Sequence, residues 1–167
     1  MKNMVNKKIL IIIFLVSTLN CIAQSNDSFW EQIAFDFYRT EILPKSPIKK
    51  RIKINKELNS IYYLSADCLK NKINNEKKLN LVESKYFELN LEKIDKKQFR
   101  IVKKINKLSN SEVFVEVSEA YEFNERIFVV INEFDASRGK KYTFEFDKNG
   151  NIIDWCISSE YIQLQFE

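Results

Sequence analysis

Apolar residues recur at helical spacing early in the chain and at a period of two later on. Trp30, Ile33, Ala34, Phe37 and Tyr38 would share one face of a helix. Ser28 followed by Glu31 has the form of a capping box, in which each side chain satisfies a free N–H at a helix start. Pro44 and Pro47 end the segment, so the spacing predicts a helix over 28–43. Lys50–Ile54 then alternates as a short strand. Residues 57–72 suit helix or strand equally, 71–78 read as a polar loop, and Tyr86–Leu91 and Phe99–Ile105 as strands.

The last third alternates most clearly. Val113, Val115 and Val117 face one way, and the pattern continues through Tyr121 and Phe123. Asn124-Glu125 turns the chain into Ile127–Ile131, which is apolar on both faces as a central strand would be. Ser137-Arg138-Gly139 makes the next turn. Tyr142, Phe144 and Phe146 alternate with polar residues, Asn149-Gly150 predicts a tight hairpin, and Ile152–Ile157 completes a meander. A helix followed by hairpins predicts an α+β domain, with an N-terminal amphipathic helix packed on a curved antiparallel sheet.

Lys2, Lys7 and Lys8, the apolar run Ile9–Val16 and the small residues Cys21 and Ala23 have the order of a cleavable export signal. The apolar run is shorter than the roughly 20 residues a membrane span requires. A signal over 1–23 and one domain over 24–167 are therefore expected, with the protein periplasmic or secreted. Lipidation at Cys21 is the weaker alternative, because Thr18 and Asn20 fit a lipobox poorly.

Three of the 27 basic groups lie in that signal, leaving 24 against 23 acidic ones. Charge is nevertheless uneven: residues 24–110 hold 19 basic and 11 acidic groups, and residues 111–167 hold 5 and 12. The halves can form a basic face or neutralise each other. Lys49-Lys50-Arg51-Lys53 and Lys96-Lys97-Arg100-Lys103-Lys104-Lys107 are the basic clusters; near-neutral net charge favours edge protection over nucleic-acid binding.

No histidine is present, which removes the commonest general base and the Ser-His and Cys-His nucleophile pairs. Cys68 and Cys156 cannot complete a zinc shell. They either bond in an oxidising compartment or lie buried apart, and the balance leans slightly to separate thiols. Glu145–Ile152 partly resembles a calcium loop, but Glu145 stands where Asp leads and Cys156 where a bidentate Glu is needed. Glu133, Asp135, Asp147 and Asp154 are the remaining candidates for acid–base work, and a solvated sheet face explains them as well. No cofactor or metal is expected. Sequence alone points to a non-enzymatic exported domain that binds a protein or small ligand in the envelope. A carboxylate-only hydrolase and an inhibitor or immunity-type protein are the alternatives, and an exposed aromatic patch at Tyr62, Tyr63 or Tyr161 would favour binding.

Overall fold

A computed structural model describes residues 29–45, 47–60, 65–66, 68–69, 73–74, 80–82, 87–103 and 111–160. The expected signal over 1–23, Cys21, Ser28, Tyr62, Tyr63, Tyr161, Lys104 and Lys107 lie outside the described residues. Helix α1 spans Trp30–Phe37, widens into a π-type turn at Tyr38–Ile42 and tightens into a 3-10 turn at Leu43–Lys45. It is followed by β1 (Arg51–Asn55), β2 (Ser65–Ala66), β3 (Ile73–Asn74), β4 (Asn80–Leu81) and β5 (Phe99–Val102). The C-terminal strands are β6 (Glu112–Val117), β7 (Tyr121–Phe123), β8 (Arg126–Phe134), β9 (Gly139–Phe146) and β10 (Ile152–Glu160). No described helix is long and apolar enough to cross a membrane.

The fold is α+β, with one short helix and a mixed, mostly antiparallel sheet. Its order is β10-β9-β8-β6-β1-β5, and β7 extends along β8 beyond β6 with β4 beside it. The all-antiparallel expectation is corrected at one side. There β1 runs parallel to both β5 and β6, with Ile52 level with Phe99 and Val113. Three further expectations change. Tyr86–Leu91 is not a regular strand among its described residues, which contribute only the Glu57–Glu88 bridge. Ile73–Asn74, within the expected loop, pairs with Ser65–Ala66. The alternation through Tyr121 breaks at Ser118–Ala120, where the Ser118 N–H donates to the Val130 carbonyl at 2.8 Å and the Ser118 hydroxyl accepts the Val130 N–H at 2.9 Å.

Side-chain parity fixes what each face does. Ile127, Val129 and Ile131 of β8 point into the main core with Tyr142, Phe144 and Phe146 of β9, and α1 covers them with Ala34, Phe35 and Tyr38. Phe37 meets Phe144 and Trp155 edge-on at 6.0 and 5.9 Å between ring centroids. Burying each of these large side chains is worth about 1.5–3 kcal/mol, so this layer is the main source of cohesion. On the opposite face Phe128 and Val130 pack with Leu69, and Cys68 is bonded to Cys156 with Cα atoms 5.6 Å apart.

Two of the hairpins reverse the expected turn chemistry. Asn124 and Glu125 both hold positive φ, 50° and 62°, between the paired residues Phe123 and Arg126, as a type I′ turn requires. At Asp147–Asn151 only Gly150 is left-handed, at φ 86°, and the Gly150 N–H donates to the Asp147 carbonyl at 3.2 Å. That is a type I turn followed by a glycine bulge, not a two-residue Asn-Gly turn. Gly150→Val should therefore cost about 1–2 kcal/mol, because a β-branched residue resists positive φ. Glu125→Gly should gain up to about 1 kcal/mol by relieving the same restriction. Urea unfolding of both variants checks the pair; shifts of the same sign would refute the turn assignments.

Candidate functional site

The end of β8 carries a polar cluster that the hydrophobic pattern conceals. Glu133 has the parity of Val129 and Ile131, so its side chain enters the core face and is only 8% exposed. Its Oε2 accepts the hydroxyl of Tyr38 at 2.8 Å and that of Tyr142 at 3.0 Å. The Lys140 Nζ lies 3.6 Å from Oε1. The two rings meet edge-on, with centroids 5.2 Å apart. Burial, followed by the charge of Glu133 and its hydrogen bond, pushes the Tyr38 hydroxyl well above the ordinary phenol range. The same causes raise Tyr142.

Two residues further on, Asp135 closes the β8–β9 loop. Its Oδ1 accepts the Ser137 N–H at 2.9 Å, the Ser137 hydroxyl at 2.8 Å and the Arg138 N–H at 3.2 Å, while Lys50 Nζ sits 3.1 Å from Oδ2. Burial pushes this carboxyl up, but the bonds from Ser137, Lys50 and Arg138 outweigh it and hold it well below the usual range. A general acid at neutral pH needs the opposite shift. That bonding speaks against Asp135 as the acid of a glycosidase pair with Glu133.

The other two candidates are elsewhere. Asp147 caps the β9–β10 hairpin, accepting the N–H groups of Asn149 and Asn151 at 2.9 and 2.8 Å and the Asn151 side-chain amide at 2.8 Å. Asp154 is level with Glu145 and accepts the Trp155 N–H at 3.0 Å. Glu133 is level with Lys140, five residues along the same strand from Glu145. Glu133 and Asp154 are thus roughly 17 Å apart along the ladder, too far to share a scissile bond.

A solvated sheet face does not describe all of these carboxylates. Glu133, Asp135 and Glu145 are buried, and Glu145 is bonded to Arg126. Glu31 is buried too. Its Oε1 accepts the Ala120 N–H at 2.9 Å, at the break between β6 and β7. Burial raises its pKa. The first basic cluster is spent partly on the acidic half of the chain, through Lys50–Asp135 and Lys53–Glu112, with Lys53 also over the Phe114 ring at 5.2 Å. Among the described residues no group of His, Cys, Asp and Glu side chains is placed to hold a metal. Compared with protein-family models, curated proteins and solved structures, the chain matches none.

Proposed function

We propose that residues 24–167 form an exported domain that acts by binding a protein or small ligand in the cell envelope and catalyses no reaction. The observation that carries this reading is the bonding of Glu133. A carboxylate that accepts two buried tyrosine hydroxyls and faces a lysine has a structural role that accounts for its burial. Asp135 and Asp147 are committed to their loops in the same way. Export is supported by the basic, apolar and small-residue order of residues 1–23 and by the Cys68–Cys156 bond, since disulfides persist in oxidising compartments. Exposed Leu81, Phe87, Ile101, Ile153 and Ile157 offer apolar contact area.

The test is to assay purified residues 24–167 against glycan, ester and phosphodiester panels, beside Glu133→Gln and Asp154→Asn. No turnover above background is expected. Turnover that disappears in either variant while the fold is retained would overturn the non-enzymatic reading.

A further inference from the structure

Among the described residues β5 is the last strand on its side of the sheet, with an open backbone edge and an uncompensated positive charge. Lys50, Lys53, Lys56, Arg126 and Lys140 each have a carboxylate partner. Arg51, Lys96, Lys97, Arg100 and Lys103 are exposed and make no ion pair among the described residues. Pairing of Ile52 with Phe99, and the bond from the Ile52 N–H to the Gln98 carbonyl at 3.0 Å, gather most of them at the start of the parallel β1–β5 pair. Asp95 is the nearby acid, and its Oδ1 accepts the Lys97 N–H at 2.9 Å.

Printed on the same strand is a direction for its backbone groups. Gln98 and Val102 turn their carbonyls toward β1, where Ile52 and Lys56 donate to them at 3.0 and 3.4 Å. Alternate residues of a strand turn their N–H and C=O to opposite sides, so those of Ile101 face away from β1. Its side chain is 45% exposed. A second copy pairing through this same edge would set arginine and lysine against their own kind, which is unfavourable.

We infer that the β5 edge receives an extended, acidic segment of a partner polypeptide, which adds to the sheet as a further strand. Main-chain bonds to Ile101 supply register, Ile101 offers an apolar foothold on one face, and Arg100 on the other face selects acidic over neutral or basic strands. This rests on the binding reading above. It has its own failure, because a turnover assay is blind to the β5 edge.

Binding is measured by calorimetry with the exported protein and a short acetylated peptide alternating Glu with Val; its Lys-Val counterpart and inorganic polyphosphate serve as comparisons. The Glu-Val peptide should bind and the Lys-Val peptide should not. Ile101→Pro removes one outward N–H without changing charge, a substitution an edge strand tolerates. It should weaken peptide binding about tenfold or more, equivalent to one lost hydrogen bond, with the thermal midpoint kept. Arg100→Glu should weaken it by about tenfold as well. In the unsubstituted protein the Ile101 amide should exchange more slowly when the peptide is present, a readout that holds even if Ile101→Pro fails to fold. Absence of Glu-Val binding overturns the inference. So does peptide binding with no slowing of Ile101 exchange, or binding that Ile101→Pro leaves unchanged while polyphosphate competes; either marks a surface that reads charge alone.

Discussion

Replacing Cys68 and Cys156 together by Ser should lower stability by about 4 kcal/mol. The bond closes a loop with a sequence separation of 88, and restricting so long a loop in the unfolded chain is worth about 4–5 kcal/mol on the chain-entropy account. It also holds Leu69 over Phe128 and Val130, the smaller of the two apolar clusters. For a domain of this size the thermal midpoint should fall by on the order of 10 °C. Unfolding with and without reductant makes the comparison, and the reduced protein should approach the double variant. A midpoint that neither reductant nor substitution moves would show that the bond contributes nothing.

Glu133→Ala should cost roughly 3 kcal/mol, for a different reason. It leaves two buried hydroxyls, on Tyr38 and Tyr142, without their acceptor, and each stranded donor costs about 1–3 kcal/mol. The same cluster should also contribute to the loss of stability at alkaline pH. Both phenols titrate above their ordinary range in the fold, so the unfolded chain loses these protons first as pH climbs. Their contribution is intact below about pH 10, the ordinary tyrosine value, and is lost progressively above it. Tyr38→Phe should make that alkaline decline shallower. An unchanged slope would place the linkage elsewhere.

The strands of the last third were legible because they are local. Period-two alternation and turn residues mark β8 and β9 with no knowledge of the rest of the chain. The parallel seating of β1 between β5 and β6 was not, since it joins Ile52 to Phe99 and Val113, 47 and 61 positions away, by crossovers that leave no short-range pattern. Glu133 shows how a site hides. Read as a polar residue near a strand end it belongs on a wet face; read by parity with Ile127, Val129 and Ile131 it must enter the core. Tyr38 was placed on the apolar face of the helix by its spacing, and that is where it packs. Only the tertiary fold shows that its hydroxyl meets a carboxylate 95 residues away. Glu31 hides by a similar route: its capping-box spacing is local, but its Oε1 accepts the N–H of Ala120, far along the chain.

On the proposed reading, the buried carboxylate of Glu133 holds the fold together rather than performing chemistry. The sign of one stability change tests it. Groups kept for catalysis are commonly held at a cost to stability, so removing them often leaves the protein more stable. Glu133→Gln keeps the shape but replaces charge-assisted hydrogen bonds with weaker ones and sets an amide donor among hydroxyl donors. Urea unfolding of this variant at neutral pH should show a loss of about 1–2 kcal/mol. A Glu133→Gln protein as stable as the parent, or more stable, would contradict the account.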